Sequence, residues 1–136
     1  MSVRRAGRAG GAGQAASHAA DRQRLGRDGE RVAQRYLEDR GLVVLSRNWR
    51  CQDGELDLVA TDGTMLIVCE VKTRSGGGYG SPAEAVSPAK VARVRRLTLR
   101  WLSTFRVGWV PVRFDVLSVV WPPDGRPAVT HLEGAF

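Results

Sequence analysis

Lysine is scarce in this basic chain: nineteen arginines stand beside two lysines in 136 residues. Lys72 therefore departs from the local habit, which is to use a planar guanidinium that stays protonated. A lysine offers instead a compact charge on a flexible stem, with a pKa that can fall on burial. Cysteine is scarce too. Cys51 and Cys69 are too few for a disulfide framework or a zinc site, and Cys69 lies in a strand pattern as a reduced core residue. No run approaches the roughly 20 consecutive apolar residues of a membrane span. The start carries arginines but no apolar h-region, so no secretory signal is expected there. A cytoplasmic protein with no membrane partner is the expectation. Acids are outnumbered, giving a formal charge of +7 and a pI of about 10.6, values that favour an anionic partner. With 43% apolar residues, the length suits one domain with a single core.

What is present is organised around Gly54 to Arg74. Two β-rich runs, Glu55 to Thr61 and Thr64 to Thr73, flank Asp62-Gly63, a dipeptide suited to a two-residue type I′ turn. That turn sets Thr61 opposite Thr64, Asp57 opposite Val68 and Glu55 opposite Glu70. Side chains alternate along a strand, so Glu55, Asp57, Glu70 and Lys72 share one face. Asp57 and Glu70 become diagonal neighbours about 7–8 Å apart at the backbone. The other face, Leu56, Leu58, Ala60, Met65, Ile67, Cys69 and Val71, is apolar. An isolated Glu-x-Lys is ordinarily an exposed surface pair. Asp57 at a matching register makes the set resemble the parts of a metal-dependent phosphodiesterase site, because Mg²⁺ is commonly held by one or two carboxylates together with substrate phosphates.

Asp57, followed thirteen positions later by Glu70-Val71-Lys72, resembles the PD-(D/E)xK nuclease signature, with Leu56 where the motif's proline often stands. Gly29-Glu30, Tyr36-Leu37, Gly41, Arg47-Asn48, Gly54-Glu-Leu-Asp57, Glu70-Val-Lys-Thr-Arg74, Tyr79-Gly80, Lys90 and Arg113-Phe-Asp115 resemble the YraN-like family, small bacterial proteins regarded as predicted endonucleases. The resemblance covers about residues 25–120. It implies a restriction-endonuclease-like α/β fold, Mg²⁺ (or Mn²⁺) as cofactor, and likeness to archaeal Holliday-junction resolvases, which share a helix glutamate, the aspartate and the Glu-x-Lys pair. Asp57 and Glu70 would then hold metal, Lys72 would serve as the catalytic lysine, and Glu30 and Glu55 are accessory candidates. A homodimer is an assembly this likeness allows.

Residues 1–20 are mostly Ala, Gly, Arg and Ser without hydrophobic period and read as a disordered basic tail, leaving 21–136 as the nuclease-like domain. Residues 21–40 read as a helix, capped by Asp21 and ended by Gly41. Leu42 to Trp49 reads as a strand, with Arg50 to Asp53 as the turn that follows. Arg47 and Arg50 are phosphate-facing or simply exposed. Arg74 to Gly80 holds four glycines and reads as a mobile loop, without the pattern and terminal lysine of a P-loop. Residues 88–106 read as a second helix, capped by Ser87 with Pro88 at its first position. Its buried stripe is Val91, Val94, Thr98, Trp101, Leu102 and Phe105. Its other face carries Arg93, Arg96 and Arg100, and with Lys90, Arg95 and Arg106 the helix has six cations and no acid. Lys90, Arg93, Arg96 and Arg100 are the candidate DNA-phosphate contacts. Val112 to Trp121 reads as a strand with Arg113 and Asp115 as an ion pair on one face, and Ala128 to Leu132 as a short edge strand. The tryptophans read as core. The order of elements predicts an α/β sandwich around a mixed sheet.

Two functions fit these features. One is a Mg²⁺-dependent endonuclease on DNA, including branched or structured DNA. The alternative is a non-catalytic nucleic-acid-binding or partner-docking module that keeps a nuclease-like fold.

Overall fold

The computed structural model describes residues 10–76 and 86–136, with the side chains of residues 10–19 and 22 outside the description. Two helices cover the two faces of one five-stranded sheet. The elements run α1 (Gly10–Asp39), β1 (Val43–Cys51), β2 (Gly54–Thr61), β3 (Leu66–Arg74), α2 (Pro88–Thr104), β4 (Val112–Val120) and β5 (Ala128–Leu132). The strands lie side by side in chain order. Only β3 and β4 are parallel, with α2 in the connection between them, so the sheet is mixed. This is the expected α/β architecture, consistent with a restriction-endonuclease-like fold.

Burial explains the two layers. Ala33 and Leu37 of α1 pack on Leu58, Ala60, Ile67, Cys69, Val71, Leu117 and Val119. Val94, Leu97 and Trp101 of α2 pack on Leu56, Val59, Leu66, Val68 and Phe114 from the other side. The β2–β3 hairpin is therefore buried on both faces, and the expectation of one apolar and one polar face is corrected. The charged residues of its strands, Glu55, Asp57, Glu70, Lys72 and Arg74, are confined to the end away from the turn. Burial pushes the Cys69 thiol up, as suits a reduced core cysteine.

The turn differs from expectation as well. Asp62 Oδ1 accepts the backbone N–H groups of Thr64 and Met65 and the Thr64 hydroxyl, at 2.8–2.9 Å. This wider loop pairs Thr61 with Leu66 instead of Thr64. The register moves by two residues, which preserves the parity of the pairing, so Leu58, Ala60, Ile67, Cys69 and Val71 share a face as expected. Leu56 does not join them and packs on the side of α2. Pairing then ends at Leu58–Cys69. Glu55 does not face Glu70; it lies opposite Arg50 of β1, which donates to it at 2.9 Å.

Other boundaries also moved. α1 starts at Gly10 instead of Asp21, because the alanine-rich run from 12 to 20 has high helix propensity without needing an apolar face. The expected tail is thus helical from Gly10, and residues 1–9 lie outside the described residues, as does most of the glycine loop. β1 extends to Cys51, so Arg50 belongs to the strand. In α2, Ser87 caps the helix as expected, its Oγ accepting from Lys90 N at 3.2 Å. Leu97 joins the buried stripe, whereas Phe105 is the C-cap and half exposed. Trp101 is core, but Trp109 is 92% exposed. No helix among the described residues is long and apolar enough to cross a membrane.

The tightest approach of helix to sheet is at Gly29. A Cβ there would stand 2.0 Å from Thr73 Oγ1, so only glycine lets α1 lie against the end of β3. Gly29→Ala should destabilise the protein by about 1–3 kcal/mol, with partial recovery in Gly29→Ala/Thr73→Ala. Thermal melts of both variants check this; a melting temperature unchanged by the single substitution would refute the close approach.

Candidate functional site

Where pairing stops, the two hairpin strands part. Asp57 fills the gap, and its Oδ2 accepts the N–H of Val71 at 2.9 Å in place of a backbone carbonyl. The distortion extends to β1: Asn48, the neighbour of Asp57 between the pairs Arg47–Leu58 and Trp49–Leu56, adopts φ 49°. It also breaks the alternation of β2, so that Leu56 packs toward α2 while Leu58 packs toward α1.

The parted strands and the start of α2 enclose a cleft of about 210 Å³ lined by Asp57, Glu70, Glu55, Asp53, Lys90 and Arg93, with Gly54 and Val94. The structure thus brings Asp57 and Glu70 together, as expected. Desolvation and the neighbouring Glu70 charge push the Asp57 carboxyl up to about 7, against the lowering influence of the Val71 N–H. Two like charges are held where neither has full access to water.

Both lysines of the chain answer to Glu70. Lys90 Nζ lies 2.5 Å from Glu70 Oε2, with both side chains less than one-fifth exposed. Lys72 Nζ stands off at 3.9 Å and is 40% exposed. Burial and the Lys90 ammonium hold Lys72 below the usual lysine range. Lys90 was expected among the outward-facing cations, and its place against Glu70 is what sequence reasoning missed. The signal was there: it is the other lysine in an arginine chain.

The accessory acids lie at the margins. Glu30 occupies a separate recess of about 180 Å³ between α1 and β1 with Arg27, Arg31, Arg47 and Asn48. Burial raises its carboxyl, opposed by a hydrogen bond from Asn48, with Glu55 and Glu70 adding to the rise. Glu55 is held at the rim by Arg50. On α2, Arg100 pairs with Asp53 at 2.9 Å and Arg95 lies over the Phe114 ring. Arg93 and Arg96 are exposed, with no carboxylate partner among the described residues.

A hard divalent cation fits this donor set. Among the described residues no three His, Cys, Asp or Glu side chains form a metal cage; Asp57 and Glu70, which line the cleft, are the two carboxylates that would meet such an ion. That is the ligand number with which Mg²⁺ is usually held jointly by protein, water and phosphate.

A model of the uncharacterised protein family UPF0102 matches residues 29–119, which include Glu30, Asp53, Glu55, Asp57, Glu70, Lys72 and Lys90. The chain belongs to the UPF0102 family. A UPF0102 protein of Frankia alni is 56% identical over 112 residues, covering 82% of this chain and 93% of the relative. One of Nocardia farcinica is 49% identical, covering 85% and 91%, and one of Acidothermus cellulolyticus is 44% identical, covering 89% and 99%. These UPF0102 relatives span nearly their whole length in the match.

A second buried aspartate is satisfied differently. Asp115 receives Arg113 Nε and Nη2 at 2.9 Å each, the Gly134 N–H at 3.0 Å and His131 Nε2 at 2.7 Å. Burial alone would raise its pKa, but these donors outweigh it and hold the carboxyl low. The expected Arg113–Asp115 ion pair is present, with His131 as an unexpected member.

For Asp57 the sign is opposite. Its folded value of about 7 lies above the ordinary 3.8, so between these the native state keeps a proton that the unfolded chain has released. Stability contributed by this group falls as pH rises through that window. Asp57→Asn should therefore match wild type near pH 4 and melt several degrees higher near pH 8 in chelator. Equal melting temperatures at both pH values would show that no like-charge cost exists.

Proposed function

We propose that this protein is a Mg²⁺-dependent endonuclease that hydrolyses phosphodiester bonds in DNA, including branched or structured DNA. The reading rests on one observation: Asp57 and Glu70, with Lys72 beside Glu70, meet at the charged open end of a hairpin buried on both faces. The arrangement resembles the PD-(D/E)xK signature, and the family in which it stands has no assigned activity of its own. Asp57 and Glu70 would hold the metal. A bound Mg²⁺ or Mn²⁺ would supply Lewis-acid stabilisation of the charge that develops on phosphorus oxygens and a more acidic water. Lys72, half exposed at the cleft edge, orients the attacking water or takes its proton. Arg93 and Arg96 on the acid-free face of α2, with Arg100 behind them, bind backbone phosphates without reading bases.

The non-catalytic reading has one observation in its favour. Glu70 is already neutralised by Lys90, so the site is stable as a salt-bridged surface without metal. Linear, flapped and four-way DNA incubated with Mg²⁺ and with Mn²⁺ separates the two. Cleavage of at least one substrate, lost in Glu70→Gln, is expected; cleavage of none in either metal gives the binding module the lead.

Arginine cannot substitute for Lys72 in this scheme, being larger, planar and permanently protonated. Lys72→Arg should keep DNA affinity while single-turnover cleavage falls about 10²–10⁴-fold. Equal cleavage would make Lys72 a spectator.

Each phosphate neutralised contributes about −0.9 to the slope of log affinity against log salt on B-DNA. Arg93, Arg96 and Arg100 changed together to Ala should flatten that slope by about one to three phosphate equivalents. A wild-type affinity indifferent to salt would refute phosphate binding altogether.

A further inference from the structure

Lys90 has a position that phosphate contact alone does not explain. It sits in the first turn of α2, its backbone N–H capped by Ser87 Oγ. Its side chain does not extend outward with Arg93 and Arg96 but returns into the cleft to Glu70 Oε2 at 2.5 Å. Lys72, the lysine of the Glu-x-Lys pair, is farther from the same oxygen at 3.9 Å, more exposed, and not part of the cleft lining. The cation enclosed with the two carboxylates is therefore Lys90.

We infer that Lys90 is a resident counter-ion whose ammonium a metal must displace from Glu70, so that metal loading and phosphate binding are coupled through this one side chain. The inference rests on the metal-dependent reading above and deepens it. Mg²⁺ binds carboxylate oxygen at about 2.0–2.1 Å. An ammonium 2.5 Å from that oxygen would be left within roughly 5 Å of the ion, a like-charge contact in a partly desolvated cleft. One of the two must leave. Lysine is suited to leaving: four rotatable methylenes let the head swing away, whereas a guanidinium fork would hold the carboxylate by two hydrogen bonds. Once off Glu70, the ammonium needs another anion. A phosphate entering beside Arg93, which lines the same cleft, provides it. Phosphate thus frees Glu70 for metal, and by linkage metal tightens phosphate to the same degree. In the free protein, Lys90 keeps Glu70 neutralised and the site weakly loaded.

Mn²⁺ binding, followed by the electron paramagnetic resonance of the free ion, tests this without reference to turnover. Without DNA, Lys90→Met should bind Mn²⁺ about ten-fold more tightly than wild type, within the usual range of coupling between sites. Lys90→Arg, which keeps the charge, should show no gain. A short duplex DNA should tighten Mn²⁺ binding to wild type by a similar factor but leave Lys90→Met nearly unchanged, the Glu70→Gln protein with the same DNA supplying the background. Equal Glu70-dependent affinity in wild type and Lys90→Met, or a gain in Lys90→Arg as large as in Lys90→Met, would overturn the counter-ion role while leaving the metal site standing. If no variant binds Mn²⁺ above the Glu70→Gln background with or without DNA, the metal-dependent reading fails, and the coupling with it.

Discussion

The structure turns on a repulsion. Asp57 and Glu70 are held together at the point where two strands stop pairing, in a hairpin covered by helices on both sides. Like charges in such a place cannot both be solvated, and the carboxyl of Asp57 is pushed up accordingly. Much of the neighbouring architecture answers that strain. The Val71 N–H turns from the ladder to the aspartate, the N-terminal turn of α2 delivers Lys90, and Lys72 stands behind it. A cation-seeking centre is thus made from ordinary sheet geometry carried one residue past where the sheet can hold.

The two aspartates of the sheet make the point by contrast. Asp115 is wholly buried and yet comfortable, because a guanidinium fork, an imidazole and a backbone N–H meet its oxygens. Its titration is displaced downward. Asp57 has one backbone donor and an acid for a neighbour, and is displaced upward. A satisfied carboxylate is a structural part. One left short of partners is where an ion, a proton or a substrate has something to gain.

How far the chain could be read from residues alone depends on which physical signal carried each feature. The faces of the hairpin from Asp57 to the turn and back were legible, because alternation has a period of two and the true register differs from the expected one by two; the side taken by Leu56, beyond the break in alternation, was not. The bounds of β5 and the capped start of α2 were legible from local chemistry. The turn was not, since Asp62 uses its side chain to hold a wider loop where Asp-Gly suggested a tight one. Burial of both hairpin faces was also hidden: Val59 and Val68 lie on the face expected to be polar, and it is α2 that covers them. The convergence of Asp57, Glu70 and Lys72 followed from strand parity alone. That of Lys90 did not, because it depends on how the helix between two parallel strands comes to rest, which no spacing along the chain encodes.

The placing of that helix has a consequence for assembly. β2 and β3 are joined by a short turn, and their antiparallel pairing closes a small loop at little entropic expense. β3 and β4 are parallel and pair across the whole length of α2, a non-local contact of the kind that forms late. The two carboxylates are thus brought together by the early, local part of the fold, whereas the ammonium paired with Glu70 arrives with the late part. Until α2 docks, the nascent hairpin has only Lys72 to set against its pair of acids at the open end, and water must remain there to bear them. The last piece to close the core is also the piece that dries the site.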